Sequence, residues 1–292
     1  MFGRFTRSAS ATRESLRQSL WFSFLLLLSV LVSACTGTLV KATAYAADGP
    51  PDLAILEVFF GLDNALPLTV NVICPGGSGM DGIPVTFTRR VVGTPLPAAF
   101  VVTTRSGLTH TPKCVTAAPG GEPLERFTLL MVGDLGDDPG DPPVRLDIVG
   151  DLLFEGGANA KGFSSTHVTP LSAGPSLLLA LRHAPADLAG SAGSACPSAT
   201  AQIVLAVWSG GVSDASGAGL GGSAADKFHV TLADAREVSP IALGGTGDHD
   251  NYVQLCLADA TTPTSVRAEA GLAFDPRGDA NAETSAAVTA DW

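Results

Sequence analysis

The residues with most chemistry to offer are acids gathered in loops. Asp134, Asp137, Asp138 and Asp141 crowd one short stretch, Asp151 and Glu155 follow, and Asp259, Asp275 and Asp279 stand in corresponding regions further on, with Asp248 and Asp250 at another turn. Carboxylates presented by turns are how a hard cation such as calcium is held, through six to eight oxygen ligands. Asp is also an ordinary turn residue, because its side chain bonds the local backbone. None of these loops has the spacing of a known calcium motif, so calcium binding and turn chemistry are both open readings of these acids. A different use of paired carboxylates is the acid and base work of a hydrolase, which requires unlike environments to drive their pKa values apart. No pair singles itself out, and no catalytic residue is assigned.

The cysteines carry a clearer message. Cys74, Cys114, Cys196 and Cys256 fall two in each half of the chain, with Cys35 left over near the N-terminus. An even set in a chain bound for an oxidising compartment reads as disulfides, and the expected pairs are Cys74 with Cys114 and Cys196 with Cys256. No Cys-x-x-Cys or Cys-His pair has zinc-ligand spacing. The five histidines, His110, His167, His183, His229 and His249, do not recur at equivalent positions. Nucleophile elbows, metalloprotease helices and phosphate-cradling loops are missing from the sequence as well. These features weigh against a duplicated active site.

The elements that position these residues are short strands. VRLDIVGDLLFEGGANA at 144–160 has a second copy, VRAEAGLAFDPRGDANA, at 266–282, and both open on apolar–polar alternation. A period of two describes a strand with one face in a core. Further matches are Cys74 with Cys196, Phe87 with Trp208, Phe100 with Phe228, Pro112 with Pro240 and Asp134 with Asp259. Changes of offset are confined to turn-rich stretches, as strands tolerate no insertion without turning side chains to the wrong face. On this alignment Cys114 stands against Ala242 and Cys256 against Met131. Strands are expected over 53–60, 68–74, 83–91, 100–104, 112–117, 127–132 and 144–149, with a last one near 165–169. The fold class is therefore all-β. We expect two tandem homologous β-sandwich domains of immunoglobulin-like type, at 52–173 and 174–292.

The first 34 residues carry Arg4, Arg7, Arg13 and Arg17 ahead of an apolar run from Leu20 to Val32, the plan of a signal peptide. The run closes on Leu31-Val32-Ser33-Ala34-Cys35, which resembles the lipobox of bacterial lipoprotein precursors. That resemblance covers only this segment, and it implies that Cys35 becomes a lipid-modified N-terminus. Residues 1–34 are then the signal peptide and residues 35–51 a tether. The competing cleavage pattern, Ala44-Tyr45-Ala46, would release a soluble secreted chain, but it lies far beyond the apolar run. Removing residues 1–34 takes away four arginines and Glu14 and leaves 13 basic against 27 acidic residues. Such a surface disfavours nucleic acid and anionic lipid head groups as partners.

The function expected from the sequence is an exported, lipid-anchored cell-envelope protein. It faces the periplasm or the exterior and acts as a non-enzymatic binding or structural module. Its partners are then the membrane, through the N-terminal lipid, and a protein or glycan. A secreted hydrolase using the acidic loops is one alternative. An outer-membrane β-barrel ending on the aromatic Trp292 is the other, although the sequence lacks aromatic girdles.

Overall fold

The computed structural model describes residues 51–122, 124–188 and 195–291. The segment expected to be a signal peptide, Cys35, most of the expected tether and Trp292 lie outside them. Among the described residues sixteen short strands and very little helix make the chain all-β.

The first half contains β1 (Ile55–Val58), β2 (Asp81–Phe87), β3 (Phe100–Thr104), β4 (Thr109–His110), β5 (Cys114–Thr116), β6 (Thr128–Gly133), β7 (Pro143–Ile148) and β8 (Ser164–Ser165). They form two four-stranded sheets, in the orders β1-β2-β6-β5 and β4-β3-β7-β8. Ile83, Val85, Leu129 and Met131 of the first meet Phe100, Val102, Leu146 and Ile148 of the second in one core. The second half contains β9 (Leu177–His183), β10 (Gln202–Trp208), β11 (Phe228–Leu232), β12 (Glu237–Val238), β13 (Ala242–Gly244), β14 (Tyr252–Leu257), β15 (Pro263–Ala268) and β16 (Thr284–Ala290). Its sheet order runs β12-β11-β15-β16-β9-β10-β14-β13. The join is a parallel pairing of β16 with β9, and the first half has a one-bridge counterpart between Phe59 and Thr169.

Strand pairing recurs in detail. Phe100 to Thr104 run against Ile148 to Pro143, and Phe228 to Leu232 run against Ala268 to Pro263, each with an irregularity before the last pair. This register sets Leu146 in the place of Val266 and Ile148 in that of Ala268. It differs by two residues from the match that aligns Val144 with Val266. A slip of two leaves every side chain on its own face, so alternation alone cannot detect it.

The segment 68–74, expected as a strand, is instead a 3-10 helix over Leu68–Val72 followed by a turn. Alternation there groups Leu68, Val70 and Val72, yet Leu68 is 79% and Val72 88% exposed. The buried pair is Val70 and Cys74, four residues apart, joined by the Cys74 N–H donating to the Val70 carbonyl at 2.7 Å. A helical turn brings such a pair onto one side, where it packs with Leu66 and Val132.

Cystines join Cys74 to Cys114 and Cys196 to Cys256, with Cα separations of 6.1 and 5.6 Å. Cys114 lies directly across from Val132, and Cys256 directly across from Ala242. Cys256 therefore occupies the position of Val132 and not that of Met131. The physical reason is facing: Met131 points into the core with Val115, whereas Val132 and Cys114 share the opposite face. The two cystines reach the same face of equivalent hairpins from opposite members.

Strands β10 and β14 are buried along their whole length. Val204, Ala206 and Trp208 enter the core of the second half, while Leu205 and Val207 turn the other way. There they meet Leu179, Leu181, Tyr252, and Leu56 and Phe127 of the first half. A sheet covered on both faces reads as a continuous apolar run, as Ile203 to Trp208 do.

Replacing either cystine by alanines is expected to lower the unfolding free energy by about 4 kcal/mol, since each closes a loop of 40 or 60 residues. Denaturant unfolding of the two double variants measures this.

Candidate functional site

Two equivalent hairpin loops meet over the doubly covered sheet. The β5–β6 loop supplies Gly120, Glu122 and Glu125, and the β13–β14 loop supplies Asp248 and Asp250, just before Tyr252 at the start of β14. A Cβ on Gly120 would lie 2.3 Å from Cε2 of Tyr252 and 3.3 Å from Oδ2 of Asp250. Only glycine permits so close an approach, and this contact sets the first loop against the second. Glu125 precedes Arg126 at φ +26°, and His249 at φ +58° separates Asp248 from Asp250, so each loop turns through an unfavourable backbone state to aim its acid.

The floor of the site is a buried polar seam. The Tyr252 hydroxyl accepts hydrogen bonds from the Phe127 N–H at 2.8 Å and the Thr128 N–H at 3.1 Å. Asn251 donates through Nδ2 to the Thr128 hydroxyl and the Trp208 carbonyl, both at 2.9 Å, and Thr128 lies 2.9 Å from the Thr86 hydroxyl. Nearby, the buried Arg90 guanidinium binds Glu155 at 2.7 Å and Asp291 at 2.5 Å, and sits 5.4 Å from the centre of the Phe127 ring. His183 lies 3.7 Å from Asp291 on the far side. Burial pushes its imidazole pKa down.

Above this floor Glu122, Glu125 and Asp250 each place a carboxylate oxygen within 4.8 Å of the other two. Glu125 is 3% exposed and Asp250 5%. Burial pushes the Glu125 carboxyl up to about 10, helped by its hydrogen bond to Glu122 and by the charge of Asp250. Burial likewise pushes Asp250 up to about 8, against the 2.8 Å hydrogen bond it accepts from the Tyr252 N–H, with Asp248 and Glu122 adding repulsion. Asp248 is raised in the same direction by burial. Oε2 of Glu125 and Oδ2 of Asp250 have no hydrogen-bond partner among the described residues. Beside Asp250 and Tyr252, a cavity of about 10 Å³ lined also by Thr246 and His249 has room for one water. Such a group can share a proton or bind a small cation, and the cavity is too small for an organic substrate.

Apart from Asp248 and Asp250, the nine acids singled out in the sequence are placed differently. Asp141 accepts from the hydroxyls of Thr104 and Ser106 and the Ser106 N–H, and its own N–H closes a turn onto the Asp137 carbonyl. The Asp138 N–H donates to Asp63, and Asp134 lies exposed in the turn after β6. Asp151 binds Asn159 and Lys161, and Glu155 is taken by Arg90. Asp259 accepts from Arg236 and from the Thr261 N–H. Asp275 receives the N–H groups of Arg277 and Asp279, and Asp279 pairs with Arg277. Turn and ion-pair bonds occupy the carboxylates of six of these nine acids, and Asp137 and Asp138 are bonded through their backbone groups. Among the described residues the one convergent acidic group able to hold an ion is Glu122, Glu125 and Asp250. Sequence reasoning placed Asp250 with Asp248 at a turn but missed Glu122, Glu125 and their convergence, because the members are far apart in the chain. The available signal was Tyr252, one of only two tyrosines, directly after the acids of a His-Asp-Asn turn.

Two outcomes are expected. Tyr252→Phe strands two buried N–H groups and should cost roughly 2 to 4 kcal/mol in denaturant unfolding. In buffer containing EDTA, stability should fall as pH rises. Glu125 and Asp250 ionise near their ordinary values of 4.5 and 3.8 when unfolded but only near 10 and 8 when folded. The folded chain thus keeps protons that the unfolded chain has released, and their stabilisation is full below about pH 4 and lost through pH 8 to 10. Glu125→Gln should flatten that decline in a series of melts across pH.

The sequence matches no protein-family model, and neither the curated proteins nor the solved structures contain a significant match to it.

Proposed function

We propose that the chain is an exported, lipid-anchored protein of the cell envelope that serves as a non-enzymatic binding or structural module. In this reading it is built from two tandem homologous sandwiches of immunoglobulin-like type. The observation that carries it is the seam: Tyr252, Asn251 and Asp291 of the second half are bonded to Phe127, Thr128 and Arg90 of the first, at buried positions except for the half-buried Asp291. A junction of this kind holds two domains as one stiff body, which suits a spacer or a display platform. The recurrent strand pairing supports duplication. Two cystines suit an oxidising compartment, and the apolar run ending at Cys35 suits lipid attachment.

The surface available to a protein or glycan partner includes an open groove of about 420 Å³ beside β3 and β7, lined by Val101, Asp147, Val149, Lys161 and Phe163. Its mixture of apolar side chains and one charge of each sign fits a polar, weakly apolar ligand.

Expression of the full chain in a bacterium, followed by fractionation and acyl labelling, tests the anchoring. The expected result is a labelled protein in the membrane fraction that Cys35→Ala converts to an unlabelled one. Recovery of an unlabelled soluble chain beginning at Ala47 would overturn it.

A further inference from the structure

We propose that Glu122, Glu125 and Asp250 form a binding site for a hard divalent cation that staples the first half of the chain to the second. This site is independent of the lipid anchor, and of its ligands only Asp250 belongs to an acidic turn singled out by sequence.

Its first support is geometric. Three carboxylates, two from the β5–β6 loop and one from the β13–β14 loop, converge to within 4.8 Å at a junction closed over by Gly120 and Tyr252. Three carboxylates offer up to six oxygens, enough to supply most of the six to eight that calcium takes. Asp248 is next along the same loop. All the donors are carboxylate oxygens, with no thiolate or imidazole in the group, which favours calcium, magnesium or manganese over zinc.

The second support is the state of individual oxygens. Asp250 and Glu125 are both more than nine-tenths buried, yet Oδ2 of the one and Oε2 of the other lack a hydrogen-bond partner among the described residues. Buried carboxylate oxygens are normally satisfied, and leaving two without a partner in one convergent group is costly. The charges that bear on them are of one sign: Asp250, Glu122 and Asp248 act on Glu125, and Asp248 and Glu122 act on Asp250. The neighbouring guanidinium groups are committed elsewhere, Arg126 to the carbonyls of Val91 and Gly93 and Arg90 to Glu155 and Asp291. A divalent cation supplies the missing positive charge and partners both oxygens at once.

The test uses the full chain, stripped with EDTA, returned to chelator-free buffer and titrated calorimetrically with calcium, magnesium and manganese in turn. One calcium per chain is expected to bind with a dissociation constant of about 1 mM or tighter. The melting temperature should rise with calcium concentration, because the ion binds the folded state alone. Asp250→Asn and Glu125→Gln should each weaken binding at least about tenfold. Asp137→Asn, in an exposed turn, should leave it unchanged. Terbium emission sensitised by the adjacent aromatic rings and displaced by calcium is expected of the parent chain, which gives a readout should one variant fail to fold. Absence of binding for all three metals at millimolar concentration would overturn the proposal and leave a proton shared among the acids. So would binding that Asp250→Asn and Glu125→Gln do not alter.

Discussion

The Tyr252 hydroxyl accepts hydrogen bonds from two backbone N–H groups of the facing half at a depth where neither could reach water. A buried amide without a partner costs on the order of 1 to 3 kcal/mol, so this phenol is what allows the start of β6 to press against β14 without loss. Around it the arrangement is constrained from every side. Gly120 lies on the ring, Asn251 ties Thr128 to Trp208, and Leu205 and Val207 fill the outer face of the sheet. The second core, the seam and the acidic group all depend on that sheet being covered twice.

Covering it twice also explains the charge distribution. Polar groups brought to such an interface must be satisfied by one another. The Arg90 group meets this requirement with carboxylates on two sides and an aromatic face. Among the described residues, Oε2 of Glu125 and Oδ2 of Asp250 have no such partner, and what sets them apart from the aspartates that serve turns is that they belong to one convergent acidic group.

The all-β class was legible because alternation reports burial of one face, and β3 at Phe100–Thr104 has the expected bounds. Where a different period fits the buried residues, as with Val70 and Cys74, alternation misled. The register of β7 against β15 was hidden, since a shift of two residues changes no side chain's face. The face of Cys256 was readable only from pairing, because Met131 and Val132 are neighbours and both apolar. The seam had a signal that alternation discards: Ile203 to Trp208 are apolar on both faces, which points to two covers. The acidic site is the least legible part. Glu125 and Asp250 are 125 residues apart, and apart from the tyrosine two places after Asp250 nothing local distinguishes them from turn acids such as Asp137. Their burial is a property of the packed halves and exists in neither loop alone.

The parallel neighbours at the two ends of each half have a mechanical meaning. Phe59 pairs with Thr169, and Val288 to Ala290 pair with Ala180 to Arg182, so the chain enters and leaves each half along adjacent segments running the same way. A pull between the ends of the chain draws those segments past each other along their length. The β16–β9 hydrogen bonds then bear the load together in shear instead of opening one after another like a zipper. Under force the survival of the fold is set by its unfolding rate, and shear loading keeps that rate low.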